Sequence, residues 1–271
     1  WHTGSGWFLG HTMGLSEGRL VLRRAQYRAA EEAVRALAVA RPLVAAKIHG
    51  QRLLIRRNHK GAVAPRLALC RLERLGWEAE RAESLPELLG IEGSAAALYF
   101  EQLGALLAPP AAKGWVPAFA GRRRRPPTDP VNAALTFAYA LLARAVAVGA
   151  SAVGFDLQQG FLHQPRAGRP ALALDLMEPL RPLVADSAVL GAINRGQLDP
   201  ASFETTAEAV RLTAEGRRTL IRVFESRLAQ EIAAPGLARA ITYRQWLHVQ
   251  ARYLADLLTG ARADFPQLRP R

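Results

Sequence analysis

The sequence predicts a mainly α-helical protein in which a large helical domain is preceded by the C-terminal remnant of a small β-strand domain. From about Gln26 onward, apolar residues recur with a period near 3.6, and alanine and leucine dominate. The residues before that point are rich in glycine and in β-formers. The chain has 271 residues and is 50% hydrophobic, enough to bury one large core or two smaller ones. We therefore divide it into residues 1–24 and residues 25–271.

The N-terminal segment has the pattern of a strand pair. Strands are predicted over Trp7–Met13 and Arg19–Leu22, joined through Gly14 and Gly18. Two strands do not make a stable sheet alone. We therefore expect this segment to be the end of a larger β domain whose earlier strands lie outside this sequence.

The second domain is predicted to contain helices separated by two irregular stretches. Ser84 and Glu87 have the spacing of a capping box, and Asp129 with Pro130 begins another helix. Proline, glycine and arginine are frequent at residues 109–130, and residues 149–170 are also expected to be irregular. The predicted helices span residues 29–48 with a continuation over 51–57, then 65–76, 84–107, 131–148, 171–190, 207–233 and 243–260.

The charge balance favours a polyanionic partner. Lys plus Arg number 36 against 23 Asp plus Glu, a formal net charge of +13. Such a surplus attracts phosphate backbones and releases their counterions, so nucleic acid is the natural partner and an anionic membrane surface is the rival. No stretch reaches eighteen uninterrupted apolar residues, and no signal-type opening is present, which argues against a membrane-spanning or secreted protein.

The only cysteine, Cys70, excludes an internal disulfide and a cysteine-cluster metal site within these residues. This usage predicts a reducing cytosol, hence a cytoplasmic protein. In its apolar setting, Cys70 is interpreted as a buried core thiol rather than a nucleophile.

Asp175 and Glu178 stand three residues apart, so on a helix they share one face. One interpretation is a solvated acidic edge paired with Arg181. The neighbours of both acids are apolar, however, and buried acids need partners. Both interpretations stay open on these residues alone.

Glu92 lies between Gly90 and Gly93 inside an otherwise good helix former. Each glycine weakens a helix by about 1 kcal/mol relative to alanine. Either a ligand approaches closely beside Glu92, or another helix packs against the glycines.

His163 follows Gly160 and precedes Pro165 in an irregular stretch. A lone loop histidine is usually a surface residue. Together with the carboxylates of Glu92 and Glu178, however, its imidazole forms a ligand set that suits Mg²⁺ or Mn²⁺. A metal-dependent reaction on phosphate is therefore the leading hypothesis.

Two basic clusters are predicted to bind the phosphate backbone without reading sequence. The alternative is that each is an ordinary solvated loop. No phosphate-binding loop, zinc-protease histidine pair or serine elbow is present. The predicted nucleic-acid-binding residues are Lys47, Arg52, Arg56 and Arg57 in one cluster and Arg122, Arg123, Arg124 and Arg125 in the other.

Four segments, in this order and spacing, closely resemble the CRISPR-associated adaptation endonuclease and integrase family, the catalytic subunit of spacer acquisition. Further matching stretches are residues 44–52, 181–186 and 243–251, so the resemblance covers nearly the whole chain. The four segments are Gly90–Ala95, Arg123–Asn132, Gly160–His163 and Leu174–Glu178.

The resemblance implies a β domain followed by a helical catalytic domain that binds Mg²⁺ or Mn²⁺. The family's metal ligands fall on Glu92, His163 and Glu178, and a nearby supporting acid falls on Asp175. Glutamate at position 178 departs from some members by one methylene and keeps the ligand type. Most of the family's β domain is missing from these residues.

The resemblance also implies partners: double-stranded DNA as prespacer and CRISPR repeat, a second copy in a homodimer, and a small ferredoxin-like adaptation protein. Some relatives carry a RecB-like iron–sulfur nuclease fused ahead of the β domain. The implied reaction is metal-dependent attack of a prespacer 3′-hydroxyl on a repeat phosphodiester, with water as the attacker in nuclease action. Two rivals remain: a non-catalytic DNA-binding scaffold whose acids pair with arginines, and a general metal-dependent repair nuclease.

Overall fold

The protein is helical over most of its length in the computed structural model, which describes residues 17–59, 65–111, 114–123 and 126–270. These ranges contain nine α-helices, one π-helical segment and two short antiparallel strand pairs. The mainly α fold class is confirmed. The helices are α1 Glu17–Glu31, α2 Ala33–Asn58, α3 Arg66–Arg81, α4 Leu85–Leu103, α5 Pro130–Val153, α6 Ala171–Met177, α7 Ser187–Asn194, α8 Ala214–Leu228 and α9 Tyr243–Leu258; the strands are β1 Phe203–Thr205, β2 Val210–Leu212, β3 Glu231–Ile232 and β4 Ile241–Thr242; the π-helical segment is Arg181–Asp186.

The first described residues correct one prediction. The strand predicted over Arg19–Leu22 is wrong, because these residues lie in α1. Four residues are too few to distinguish the period of two of a strand from the period of 3.6 of a helix. Over the whole of α1 the helical period is clear, because Leu22, Gln26 and Ala29 are buried on one helix face. The boundary predicted between residues 24 and 25 falls inside α1. The strand predicted over Trp7–Met13 lies outside the described residues, so a β domain there stays a prediction.

The start of α4 follows the predicted cap only in part. Ser84 is the N-cap, and its Oγ accepts a hydrogen bond from Glu87 N at 3.3 Å. The return bond of a capping box goes elsewhere: Glu87 Oε2 accepts from Glu83 N at 2.7 Å. The helix then ends at Leu103 and continues as one 3₁₀ turn, close to its predicted end.

The helix predicted over residues 171–190 is broken into three pieces. Pro179 and Pro182 explain the break, since a proline has no N–H and its ring clashes with the preceding turn. The chain passes from α6 through Glu178 into the π-helical segment and then into α7. Such π turns occur often at functional sites.

The helix predicted from residue 207 starts later, at Ala214. Before it, β1 and β2 form a hairpin in which Phe203 pairs with Leu212. Thr213 caps α8, and its Oγ1 accepts from Gly216 N at 3.1 Å. The hairpin strands have three residues each, too short to give a periodic signal against the helix that follows.

The core is built around α5, which packs against α6, α7, α8, α9 and the π-helical segment. Val131, Leu135, Ala138, Leu142 and Val146 form its buried face. Among the described residues, α5 is the one helix long and apolar enough to cross a membrane by length and composition. Its contacts with these elements, together with those to β2, are the ones expected of the central helix of a folded domain.

A close approach joins α2 to the π-helical segment. Gly50 of α2 faces Pro182 so tightly that a Cβ at position 50 would lie 2.7 Å from Pro182 Cγ. Only a residue without a side chain permits this contact without a shift. The contact brings the turn of α2 that carries Lys47 close to the chain around Glu178.

Candidate functional site

Two of the predicted site residues, Glu92 and Glu178, meet at one buried lysine, and a third, His163, lies beside Glu178. Glu92 lies on α4, His163 in the loop before α6, and Glu178 directly after α6. The ammonium group of Lys47, on α2, forms ion pairs with Glu92 Oε1 and with Glu178 Oε2, the latter at 2.6 Å. His163 Nε2 lies 3.9 Å from Glu178 Oε1. The structure thus brings the two carboxylates and the imidazole together.

Lys47 was predicted to touch DNA together with the surface arginines, but the structure places it differently. Its side chain is 7% exposed, and both of its ion-pair partners belong to the carboxylate cluster. Arg56 and Arg57, in the last turn of the same helix, are exposed. Lys47 therefore groups with Glu92 and Glu178 rather than with those arginines, and its contact with DNA is untested.

Asp175 organises the histidine loop. Its Oδ2 accepts from Phe161 N at 2.6 Å and from Leu162 N at 3.0 Å, while Oδ1 accepts from His163 N at 2.9 Å. Oδ1 also lies 2.6 Å from His163 Nδ1. Because a carboxylate only accepts, this contact assigns the proton to Nδ1 and leaves Nε2 as the free acceptor that faces Glu178.

Gly160 is required by the same loop geometry. A Cβ at this position would lie 2.8 Å from both Asp175 Oδ2 and His163 O. No side chain fits there without displacing the carboxylate that holds the loop. On the other side of the loop, buried Gln26 of α1 donates from Nε2 to the carbonyls of Asp156 and Gln159 at 2.8 and 2.7 Å.

Glu178 stays charged although it is 3% exposed. Burial raises the pKa of its carboxyl group, but the nearby side chains of Arg181, Lys47 and His163 together outweigh burial and lower the pKa to about 2. Arg181 Nη2 lies 3.0 Å from Glu178 Oε1. The Glu178–Arg181 pair considered from the sequence therefore exists, but as a buried contact.

Tyr139 of α5 lies between two guanidinium groups. Arg181 Cζ is 4.6 Å from the ring centroid and Arg122 Cζ is 5.3 Å from it, both within the range of cation–π attraction. Arg122 is also held by α5, since Nη1 donates to Asn132 Oδ1 at 2.7 Å and Nη2 to Thr136 Oγ1 at 3.1 Å. The start of the arginine run is thus anchored beside the carboxylate cluster.

The remaining predicted basic residues differ in exposure. Arg52 is half-buried and pairs with Glu73 at 3.1 Å, whereas Arg56, Arg57 and Arg123 are exposed. Arg124 and Arg125 lie outside the described residues. Cys70 is exposed, so its interpretation as a buried core thiol is wrong; it sits on the outer face of α3.

Open space lies over Gly90 and Gly93 of α4, on a different side of the helix from the Glu92 side chain. A Cβ at Gly90 or at Gly93 would meet nothing within 4 Å. Of the two interpretations of these glycines, packing of another helix is therefore not observed within the described residues. The face of α4 that carries them is free for a ligand to approach.

The side chains fit a divalent cation by chemistry but do not yet surround one. Within the described residues, no group of three or more His, Cys, Asp or Glu side chains is gathered closely enough to hold a metal ion. The Lys47 ammonium stands between Glu92 and Glu178 and supplies the positive charge that the facing carboxylates need. Two carboxylates and a free imidazole nitrogen are suitable ligands for Mg²⁺ or Mn²⁺ once that ammonium moves aside.

Three neighbours of the site were not singled out from the sequence: Tyr99, Tyr139 and Asp186. Tyr99 O–H donates to Asp186 Oδ2 at 2.8 Å, and both residues are buried. Burial raises the pKa of Asp186 to about 6, despite the opposing effects of Tyr139, Tyr99 and the nearby arginines. An aspartate within an apolar run that follows Pro182 was the signal in the sequence that could have indicated this network.

Comparison with known proteins gives consistent results. The family model described as "CRISPR associated protein Cas1" matches residues 1–226. A "CRISPR-associated exonuclease Cas4/endonuclease Cas1 fusion" of Geobacter sulfurreducens is 44% identical over 275 residues, covering 100% of this chain and 49% of the relative. "CRISPR-associated endonuclease Cas1 2" of Rhodospirillum rubrum is 38% identical, covering 96% of this chain and 77% of the relative. The chain spans about half the length of the fusion relatives that it matches.

Solved structures share the fold. A chain of a "Partial Cas6-RT-Cas1--Cas2 complex" superimposes with a TM-score of 0.82 at 27% identity, covering 97% of this chain and 78% of the other. A "Casposase bound to integration product" gives a TM-score of 0.81 at 24% identity, with 97% and 76% covered, a likeness of fold alone.

Proposed function

Because the chain belongs to the Cas1 family of CRISPR-associated proteins, we propose that it forms the catalytic part of a DNA endonuclease and integrase that inserts prespacer DNA into a CRISPR array. One observation carries the proposal. Glu92 and Glu178, distant in sequence, both pair with the buried ammonium of Lys47, and His163 Nε2 lies 3.9 Å from Glu178 Oε1. Relatives at 44% and 38% identity are described as endonucleases, which supports the same activity here.

The proposed cofactor is Mg²⁺ or Mn²⁺, held by Glu92, His163 and Glu178. Such an ion would polarise the scissile phosphate and offset the charge that develops on its oxygens. The protein's own part is to present the ligands. Asp175 fixes the tautomer and orientation of His163, as outer partners of ligating histidines commonly do.

Two buried cations would keep the site balanced before DNA binds. Lys47 neutralises Glu92 and Glu178, and Arg181 pairs with Glu178 from the other side. With a divalent ion held by the carboxylates, the Lys47 ammonium would no longer be needed to neutralise them and could pair with a phosphate oxygen. In this proposal the prespacer 3′-hydroxyl loses its proton and attacks the phosphorus of a repeat phosphodiester in integration. The new P–O bond replaces the bond to the 3′-oxygen of the repeat strand, which leaves as a hydroxyl group; in nuclease action water attacks in the same way.

DNA would approach over the open face of α4. Gly90 and Gly93 leave that face uncovered, in the same helical turn as Glu92. A groove continues along α4 and is lined by Phe100, Phe119 and Arg122, which combine ring surfaces with positive charge. Exposed arginines and the formal net charge of +13 would attract the phosphate backbone, so binding should weaken steeply with salt.

The partners follow from the relatives. Some relatives are Cas4/Cas1 fusions, and solved neighbours belong to complexes that contain Cas1 and Cas2. We propose that this chain likewise works with a small ferredoxin-like partner of the Cas2 type, with a RecB-like iron–sulfur nuclease of the Cas4 type, fused or associated, and as a homodimer. The proposed location is the cytoplasm, where double-stranded prespacer and repeat DNA are both accessible.

The test is a strand-transfer assay with the complete protein, the small partner, Mn²⁺, a prespacer labelled at its 3′ end and a target that contains the repeat. We expect labelled product joined to the target, and loss of that product with Glu92→Ala and with His163→Ala while DNA affinity stays within a few-fold. Glu225→Gln is the matched control, because Glu225 is exposed and pairs with Arg244 at the surface.

Each other outcome identifies a rival. Degraded DNA without joining indicates a general repair nuclease. DNA binding with neither joining nor cleavage indicates a scaffold whose acids serve only to pair with Lys47 and Arg181. Full joining activity in either alanine variant refutes the assignment of the site.

A further inference from the structure

Asp186 is a buried acid that the proposed reaction does not use. It is 2% exposed and ends the π-helical segment, eight residues after Glu178. One of its oxygens, Oδ1, has no hydrogen-bond partner of good geometry. A buried carboxyl in such a position costs stability. Its position relative to the catalytic acids offers a reason for its presence.

The first link runs from Asp186 to the helix that carries Glu92. Tyr99 of α4 donates its hydroxyl hydrogen to Asp186 Oδ2 at 2.8 Å. Tyr99 is fully buried and lies seven residues, or two turns, after Glu92, so the two side chains share one face of α4. This hydrogen bond therefore ties the Glu92 helix to the segment that follows Glu178.

The second link runs from Asp186 to the partner of Glu178. The hydroxyl of Tyr139 interacts with the Asp186 carboxylate, and the Tyr139 ring carries the guanidinium of Arg181 on its face. Arg181 in turn holds Glu178 Oε1 at 3.0 Å. A single buried carboxylate is thus connected to both catalytic acids, through one phenol to α4 and through the other to Arg181.

We propose that Asp186 is a positioning residue of this site, which sets the separation of Glu92 and Glu178 by tying α4 and Arg181 to the π-helical segment. The inference rests on the proposed strand-transfer function. Asp186 does not touch the reacting atoms and acts only through Tyr99, Tyr139 and Arg181.

The electrostatic setting supports a functional role over a stabilising one. Tyr99 faces Asp186 from α4, Tyr139 from α5, Arg181 from its own segment and Arg122 from the preceding loop. Despite these neighbours, burial raises the pKa of the carboxyl to about 6, so its charged form is less favourable in the folded protein than in the unfolded chain. An amide of the same size would avoid that cost, but it has one acceptor oxygen in place of two.

The experiment compares Tyr99→Phe, Asp186→Asn and the double variant in the complete protein with its small partner. Three quantities are measured at pH 7.5: the single-turnover joining rate at saturating DNA, the Kd for DNA, and the melting temperature. We expect each single variant to lower the joining rate about tenfold and to change the Kd less than twofold. Asp186→Asn should also raise the melting temperature, because it removes a buried charge.

In Asp186→Asn, a slower joining rate together with a higher melting temperature distinguishes a positioning role from a merely structural one. If Asp186 only holds the fold together, the rate and the melting temperature fall together in Asp186→Asn. The double variant should be no slower than the slower single variant, since both break one connection. Additive rate losses would contradict a shared pathway through Tyr99.

Two controls complete the design. Leu220→Val removes a methylene from a buried residue of α8 and lowers stability without touching the network, so its joining rate below the melting range should equal that of the wild type. Asp264→Asn changes an exposed acid that pairs with Arg262 and should alter nothing. Wild-type rates in both Tyr99→Phe and Asp186→Asn overturn the inference while Glu92-dependent joining stands. A wild type that joins no DNA overturns the proposed function itself.

Discussion

Glu178 and Asp186 are both buried carboxyls, eight residues apart on one short stretch of chain, yet their surroundings shift the two pKa values in opposite directions. The pKa of Glu178 is lowered to about 2 and that of Asp186 is raised to about 6. Burial acts on both in the same sense. The difference lies in the partners, because Glu178 has Lys47 at 2.6 Å and Arg181 at 3.0 Å, whereas Asp186 has a tyrosine hydroxyl at 2.8 Å.

This contrast shows that two carboxyls on one short stretch of chain can have different roles. At the start of this stretch, the charged side chains of Glu178, Lys47 and Arg181 face one another. At its end, a weakly satisfied acid holds neighbouring elements through neutral phenols. Nearby cations, more than depth of burial, decide in which direction the pKa of each carboxyl shifts.

The largest effect is expected when the charge of Glu178 is removed. Glu178→Gln keeps the size of the side chain and removes a proposed metal ligand, so the joining rate should fall at least about 10³-fold. DNA affinity should stay within a few-fold, as measured by titration at fixed salt. Near-normal joining by this variant would contradict the distinction between Glu178 and Asp186, since neither acid would then take part directly in the reaction.

The next effect removes the cation that separates the two acids. Lys47→Met should lower the free energy of unfolding by about 4 kcal/mol, because Glu92 loses its buried partner and Glu178 keeps only Arg181. Denaturant unfolding in a chelator measures this loss. Added Mn²⁺ should restore most of the stability of the variant and have a smaller effect on the wild type, which already holds a positive charge there. Equal effects of Mn²⁺ on the two proteins would argue against a metal site at these carboxylates.

A third effect is the pH dependence of stability that Asp186 produces. The folded pKa of Asp186 is about 6 against an ordinary value of 3.8, so between pH 4 and pH 6 the folded protein keeps a proton that the unfolded chain has lost. Stability contributed by this group is present below pH 4 and is lost as pH rises through 6, by about 3 kcal/mol in all. Asp186→Asn should flatten this decline in unfolding experiments from pH 4 to 7.

Glu178 gives the opposite sign in a lower window. Its folded pKa of about 2 lies below the ordinary 4.5, so its contribution is present above pH 4.5 and is lost as pH falls toward 2. Unfolding of Glu178→Gln in a chelator should lack this acid limb and keep the decline between pH 4 and 6. A decline that persisted in Asp186→Asn would assign that proton to another group.

The smallest effect is expected from a surface arginine that lies away from both Glu178 and Asp186. Arg56→Ala removes one exposed arginine from the last turn of α2 and should weaken DNA binding only a few-fold, with a shallower dependence on salt. The joining rate at saturating DNA should not change. Salt titrations of Kd measure the slope, and an unchanged slope would exclude Arg56 from the DNA path.

Much of this architecture is legible in the sequence. Long periodic segments such as α2 and α5 were predicted as helices, and Ser84 and Asp129 were identified at helix starts and cap α4 and α5. Short elements were not: the hairpin at Phe203–Leu212 is too brief for a periodic pattern. Two prolines changed a predicted helix into a π turn, because a missing N–H alters hydrogen bonding in ways that apolar spacing does not record.

The site divides in the same way. Residue types and motif spacing identified Glu92, His163 and Glu178, and folding brings them together. Lys47 was interpreted as a surface cation, since a sequence shows charge but not which carboxylates lie beside it in space. The four hydrogen bonds that Asp175 accepts from the histidine loop depend on the path of that loop, which no local pattern specifies.

The bare backbone of Gly50 has a consequence for how this chain can vary over evolutionary time. A methyl group there would meet Pro182 and push the π-helical segment off α2, moving Glu178 away from Lys47. Position 50 carries no reactive atom, yet it should tolerate almost no substitution. A homologue with a bulkier residue at that place must have rebuilt the adjoining proline, so the two sites should change together or not at all.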